Sequence, residues 1–72
     1  MSTLSERLQQ LKTAKGVLQK DIAKDNNLSL RAYQYYERGD REPTVSVLIS
    51  LADYFDVSID YLVGRTNNPQ RL

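Results

Sequence analysis

The sequence predicts an all-α domain of five short helices. Apolar residues recur at spacings of three and four along most of the chain, which is the period of an amphipathic helix. Ser, Thr and Gly residues stand where these helices would begin and end. No segment alternates apolar and polar residues as a half-buried strand does. With 72 residues, the chain is long enough for one domain, which we place at residues 1–65.

The segment 19–39 organises the chain, because it predicts two short helices joined by a tight turn. Ile22 and Ala23 mark the apolar side of the first helix. Ser29 is a strong N-cap for the second, since its hydroxyl can accept a hydrogen bond from the next turn, and Gly39 closes that helix. Together the two helices have the sequence form of a helix-turn-helix motif.

Apolar stripes on either side of this motif predict the remaining helices. Three leucines share one face of the first helix: Leu4, Leu8 and Leu11. The fourth and fifth helices are expected to follow Thr44 and Ser58, because both residues are good N-caps. Their inward-facing residues are expected to be Val45, Leu48, Leu51, Ala52, Phe55, Ile59 and Leu62. Residues 66–72 predict a frayed polar tail.

Composition argues against several classes of function. Cysteine and histidine are absent, which removes thiolate sites, the commonest general base and the commonest metal ligand. Asp53, Asp56 and Asp60 lack the spacing and the glycine of a calcium-binding loop. We therefore predict neither an enzyme nor a metal or cofactor site. No apolar run is long enough to span a membrane and no secretory signal is recognisable, so we expect a cytoplasmic protein.

The distribution of charge is more informative than its total of +1. Residues 1–42 carry eight Lys and Arg against six Asp and Glu, whereas residues 43–64 carry three Asp and no basic residue. The basic side chains therefore gather around the helix-turn-helix. An ordinary solvated surface would explain this pattern equally well.

Four short groups of residues match the pattern of a known family at the same spacing and without gaps. They are GVLQ at 16–19, IA at 22–23, LS at 28–29 and YERG at 36–39. Together with residues 43–64, they resemble the Cro/CI-type (Xre-like) helix-turn-helix domain of phage repressors, and the resemblance covers roughly residues 4–64. It implies a five-helix fold and a phage-type transcriptional regulator of the host bacterial cytoplasm. Such a regulator would bind operator DNA through the helix 29–38 in the major groove.

The resemblance also assigns contacts to individual positions. The DNA-binding set would be Gln19, Lys20, Ser29, Leu30, Arg31, Gln34, Tyr35, Arg38 and Arg41. The residues that reach base edges would be Leu30, Arg31, Gln34 and Tyr35. Arg31 can bind guanine and Gln34 adenine, while Leu30 can contact only a thymine methyl group. The sugar-phosphate backbone would be met by Gln19, Lys20, Arg38 and Arg41. Lys12 and Glu37 would form a structural ion pair that ties the first helix to the recognition helix.

Two departures from the family pattern leave another function open. Leu18 stands where a polar cap is usual, and Asn26 stands where an apolar residue is usual, so its amide needs partners. Leu18, Leu30 and Tyr35 would form an amphipathic patch of the kind found in protein interfaces. The alternative function is therefore an antirepressor of the modulator-of-repression type, which binds a CI-type repressor and modulates its DNA binding.

Self-association is a further possibility. The fourth and fifth helices carry more large apolar residues than their inward-facing sides need: Val47, Ile49, Tyr54 and Tyr61. If they cluster, they would form a homodimer patch. A purely structural helical module remains as a third alternative for the function of the chain.

Overall fold

The computed structural model of the chain describes residues 3–70. Within that range it contains five α-helices: α1 (Thr3–Lys15), α2 (Gln19–Asp25), α3 (Leu30–Arg38), α4 (Val45–Phe55) and α5 (Ile59–Leu62). No strand occurs between residues 3 and 70, and the predicted all-α fold class is confirmed. Helix α3 packs against both α1 and α2, and α5 packs against α1 and α4.

Side-chain caps begin three of the helices where the sequence predicts them. The hydroxyls of Ser29, Thr44 and Ser58 each accept a hydrogen bond from the backbone N–H three residues later, at 3.0–3.3 Å. These bonds satisfy donors that the first turn of a helix leaves without a partner. Helix α3 ends at Gly39, whose φ of 81° lies in the left-handed region that glycine adopts without steric cost.

The hydrophobic core joins all five helices. Its fully buried apolar side chains are Leu8, Ile22, Tyr33, Leu51 and Leu62. Phe55 is also buried, and its ring packs edge to face against Tyr54 with the centroids 5.1 Å apart. The inward-facing side of the α2–α3 motif therefore packs into a core that it shares with α1, α4 and α5.

Two residues that we expected in the core lie at the surface. Val45 is 70% exposed and Ile59 is 37% exposed. Residues 44–46 are all exposed, so the first turn of α4 projects beyond the core, which helical periodicity alone cannot predict. Helix α5 has only 4 residues. Its Leu62 side chain is buried in the core, whereas its Ile59 side chain is partly exposed to solvent.

The four residues proposed for a homodimer patch differ in exposure. Val47, Tyr54 and Tyr61 are partly buried and pack against the core. Ile49 is 45% exposed, and Val45 lies four residues before it on the same side of α4. The exposed apolar surface of α4 therefore consists of Val45 and Ile49.

The buried polar residue Asn26 finds partners inside the fold. Its Nδ2 donates to the Ile22 carbonyl at 2.7 Å, and its Oδ1 accepts from Ser50 Oγ at 2.5 Å. Both polar ends of the amide are satisfied, so burial costs far less than it would for an unpaired amide. The same side chain joins the end of α2 to α4.

Residues 66–70 turn back towards the helices. The Ser58 N–H donates to the Pro69 carbonyl at 3.1 Å, and Arg7 Nη2 donates to Asn67 Oδ1 at 2.9 Å. This part of the predicted tail therefore makes two hydrogen bonds to the domain, and residues 71 and 72 lie outside the described range. Within residues 3–70, no helix is long and apolar enough to cross a membrane.

Candidate nucleic-acid interface

Helix α3 has one buried face and one exposed face. Tyr33 and Glu37 are buried against the other helices. Leu30 and Arg31 are exposed in the first turn, and Gln34 lies half-buried one turn later. The predicted base-reading residues of the first turns therefore share the outward side of a helix whose inward side is fixed.

The N-terminus of α2 lacks a side-chain cap from Leu18, as the sequence indicates. Instead, Asp21 Oδ2 accepts a hydrogen bond from the Leu18 N–H at 3.1 Å. An acidic residue three positions after the N-cap indicates this hydrogen bond in a sequence, but we did not predict it from Asp21. The Asp21 carboxylate also offsets the positive end of the helix dipole, which makes this terminus less attractive to a DNA phosphate.

Glu37 joins α1, α2 and α3. Its Oε1 lies 2.8 Å from Lys12 Nζ and accepts from Gln19 Nε2 at 3.0 Å. Its backbone carbonyl accepts from Ser5 Oγ and, at 3.0 Å, from Gln9 Nε2. The ion pair that we expected between Lys12 and Glu37 is thus present and belongs to a larger network.

The electrostatic environment of Glu37 favours its charged form. Burial alone raises the pKa of this carboxyl, but Lys12, Tyr33 and Gln19 together outweigh burial and hold the pKa below its ordinary value. The Tyr33 hydroxyl and Glu37 Oε2 are both buried, and they interact electrostatically without meeting hydrogen-bond geometry. Burial and then the neighbouring Glu37 raise the pKa of Tyr33, which stays neutral.

The network extends from Glu37 to the exposed face of α3. Gln34 Nε2 donates to Gln19 Oε1 at 3.2 Å, and Gln19 in turn donates to Glu37. We call this row the amide relay: Lys12, Glu37, Gln19 and Gln34. Because Glu37 can only accept, the relay fixes which end of each amide faces which neighbour. Gln34 keeps its Oε1 and one N–H for other partners.

Three predicted site residues cluster at the C-terminal end of α3. The guanidinium carbon of Arg41 lies 4.6 Å from the centre of the Tyr35 ring, and that of Arg38 lies 5.3 Å from it. Arg38 Nε also lies 3.1 Å from Asp40 Oδ2. The Tyr35 ring thus contacts two cations. The spacing of these residues in the sequence did not predict either contact.

A shallow apolar groove separates the starts of α2 and α3. Its volume is about 390 Å³, and its lining residues are Lys12, Val17, Leu18, Gln19, Lys20 and Leu30. Leu18 is 59% exposed and Leu30 is 44% exposed. Leu18 and Leu30 therefore share one surface, whereas Tyr35 packs with the arginines at the other end of α3.

Between residues 3 and 70, no group of three or more Asp or Glu side chains is placed to hold a metal ion. The charged side chains that line the groove are Lys12, which belongs to the amide relay, and Lys20, which is exposed.

Comparison with known proteins identifies the family. The model of the family described as helix-turn-helix matches residues 8–62 of the chain. The chain belongs to the helix-turn-helix family. Its type is the Cro/CI-like (Xre-like) one that the sequence predicts. This helix-turn-helix family comprises DNA-binding transcriptional regulators and not enzymes.

Relatives of this helix-turn-helix chain are regulators. It is 37% identical over 62 residues to the cryptic phage CTXphi transcriptional repressor RstR of Vibrio cholerae, covering 86% of this chain and 55% of RstR. It is 33% identical over 63 residues to the HTH-type transcriptional regulator ImmR of Bacillus subtilis, covering 88% of this chain and 50% of ImmR. An uncharacterized HTH-type transcriptional regulator of Bacillus subtilis, YqaE, is 36% identical over 64 residues, covering 89% of this chain and 55% of YqaE.

A solved structure has the same fold. The crystal structure of a transcriptional regulator from Listeria innocua matches with a TM-score of 0.82 and 38% sequence identity, over 96% of this chain and 62% of that one. The chain spans about half the length of the curated relatives it matches.

Proposed function

We propose that this chain is a phage-type transcriptional regulator that binds double-stranded operator DNA with the helix 29–38 in the major groove. The observation that carries the proposal is the outward face of α3, which presents Arg31 and Gln34 while Glu37 anchors the opposite face. An α-helix fits the major groove, where each base pair offers a distinct pattern of donors and acceptors. Arg31 suits guanine, and the free end of the Gln34 amide suits adenine.

Basic side chains around this face support contacts to the DNA backbone. Lys20 is exposed on α2, and Arg38 and Arg41 are exposed at the other end of α3. Phosphate contacts of this kind supply affinity and orientation, whereas base contacts supply sequence choice. The relatedness to the phage repressor RstR supports an operator as the target.

Selection from a random pool of duplex DNA, followed by fluorescence anisotropy, tests this proposal. We expect a discrete preferred sequence. Arg31→Ala should weaken binding by about 1–3 kcal/mol and relax the choice at one base position. Lys20→Ala should weaken all sequences alike and reduce the salt slope by about one. Arg65→Ala, which removes an exposed arginine outside the motif, is the matched control and should bind like the parent.

The outcome that contradicts the proposal is equally clear. If the parent enriches no sequence and binds no duplex at micromolar concentration in low salt, major-groove reading is wrong. If Arg31→Ala and Lys20→Ala both bind like the parent, α3 is not the recognition helix.

The apolar groove favours a second candidate function, an antirepressor that binds a CI-type repressor. Leu18 and Leu30 offer an apolar surface where a DNA-reading protein usually carries polar groups. In the DNA proposal, Leu30 meets a thymine methyl group, and Leu30→Gln should be tolerated because it restores a polar base contact. In the antirepressor alternative, the same change buries an amide against apolar atoms and should weaken the complex about ten- to hundredfold.

Calorimetry with a CI-type repressor, chosen from any that is encoded next to this chain, separates the two candidates. DNA binding by the chain alone, without a repressor complex at micromolar concentration, would eliminate the antirepressor. A tight complex that Leu30→Gln weakens, together with negligible DNA binding by the chain alone, would eliminate the operator-binding regulator.

A further inference from the structure

The ring of Tyr35 carries two guanidinium groups at the C-terminal end of α3. Arg41 approaches the ring centre to 4.6 Å and Arg38 to 5.3 Å, which is the distance range of cation–π contacts. Tyr35 is half-buried, so packing restricts its ring, while both arginines are exposed. A cation above an aromatic face loses part of its freedom to move and keeps its N–H groups directed outward.

The two arginines are not equivalent. Arg38 pairs with Asp40 at 3.1 Å, and both side chains are more than half exposed, so the pair is weak but offsets the charge of Arg38. Within residues 3–70, no carboxylate lies within 4.0 Å of the Arg41 guanidinium. Arg41 therefore combines the shorter ring contact with a guanidinium that forms no ion pair within the described residues.

Arg41 also lies in the loop between α3 and α4, where its long side chain would otherwise sample many conformations. Ordering an arginine costs side-chain entropy, because its free side chain has many rotamers. A ring that holds the guanidinium before DNA arrives reduces that cost, which is the general advantage of preorganisation.

We propose that Tyr35 is a positioning residue for Arg41 and not a base reader. The ring holds the Arg41 guanidinium ready for a DNA phosphate next to the end of α3. This inference rests on the proposed DNA binding, and it replaces the base contact that the resemblance assigns to Tyr35. Tyr35 should then contribute to affinity and leave sequence choice unchanged.

Anisotropy with the selected duplex tests the coupling in four proteins: Tyr35→Phe, Tyr35→Leu, Arg41→Ala and the double variant Tyr35→Leu with Arg41→Ala. Tyr35→Phe keeps the ring and should bind like the parent. Tyr35→Leu should lose about two- to fivefold in affinity, as expected for one exposed cation–π contact. In the Arg41→Ala background, Tyr35→Leu should cause a clearly smaller loss than in the parent, because the part of its effect that acts through Arg41 is already gone and only the longer contact to Arg38 remains.

Two further readouts exclude a purely structural effect. The Arg41 side-chain protons should carry a ring-current shift in the parent and in Tyr35→Phe, and lose it in Tyr35→Leu. The base preferences in a set of duplexes with single substitutions should stay the same in Tyr35→Leu. Circular dichroism melting confirms that each variant is folded at the assay temperature.

Several results would overturn the inference. If the two substitutions weaken binding additively, Tyr35 does not act through Arg41. If Tyr35→Phe loses affinity like Tyr35→Leu, or if either changes the preference at a base position, the residue reads DNA directly. These results leave DNA binding intact, whereas failure of the parent to bind any duplex refutes the proposed function and this inference together.

Discussion

Gln19 has two alternative roles in the proposed DNA binding: it contacts the DNA backbone, or it orients Gln34. The resemblance assigns it to the DNA backbone, but its side chain lies inside the amide relay, between Glu37 at 3.0 Å and Gln34 at 3.2 Å. Replacing Gln19 with Ala removes the acceptor that orients Gln34. The half-buried amide of Gln34 can then rotate and present either end to a base, because the hydrogen bond to Gln19 no longer holds its nitrogen towards α2.

The expected effect follows from one hydrogen bond. A net value of about 0.5–1.5 kcal/mol corresponds to a loss of about two- to twelvefold in affinity for the preferred base. The affinity for duplexes with other bases at that position should change little, so the ratio of affinities between the preferred base and the others becomes smaller. Fluorescence anisotropy on four duplexes that differ at this base pair measures it, and 7-deazaadenine removes the N7 acceptor that Gln34 would use.

The control is Lys20→Ala, which alters the neighbouring residue on the exposed side of α2. It should weaken the four duplexes equally and flatten the salt dependence. If Gln19→Ala also weakens all four equally, Gln19 is a backbone contact and the relay does not influence base choice. Equal affinity of the parent for adenine and 7-deazaadenine would refute the adenine contact itself.

Three further predictions concern stability and charge. Phe55→Ala should destabilise the fold by about 3–5 kcal/mol because Phe55 is buried, and a melting temperature equal to that of the parent would contradict this. The pKa of Glu37 is lower in the folded chain than its ordinary 4.5, so its contribution to stability is present above that pH and is lost as the pH falls through the folded value. Acid melts of the parent should therefore show a loss that Glu37→Gln lacks, and parallel curves would contradict it. Asp40→Asn should release Arg38, tighten DNA binding and steepen the salt dependence, whereas Glu42→Gln, an exposed acid in the same loop, should steepen it less.

The helices could be predicted from the sequence because their signals are local. Ser29, Thr44 and Ser58 each cap the helix that follows, and each acts on a donor only three residues away. The core positions of α2 could be predicted for the same reason, since Ile22 and Ala23 lie on the apolar side that its pattern indicates, and both are buried. Periodicity indicates which side of a helix faces inward.

Periodicity does not indicate where the core stops. Val45 lies at the first turn of α4, and its exposure depends on how far α4 extends past the other helices. Pairings between side chains on different elements were equally inaccessible. Gln19 and Gln34 are 15 residues apart in the chain, and nothing in either local sequence indicates that their amides meet. The Lys12 and Glu37 pair could be anticipated only because the resemblance supplied it.

If α3 reads bases as proposed, Glu37 makes stability and base choice interdependent in this fold. Its carboxylate is buried with Lys12, and an unpaired buried charge is costly, so removal of Lys12 should destabilise the junction of α1 with α3. The same Oε1 accepts from Gln19, so any movement of Glu37 reaches Gln34 at the exposed face. Substitutions of Lys12 or Glu37 should therefore change melting temperature and base preference together. Gln19→Ala should change base preference with a smaller loss of stability than removal of Lys12, because Glu37 then loses one hydrogen bond and keeps its ion pair with Lys12.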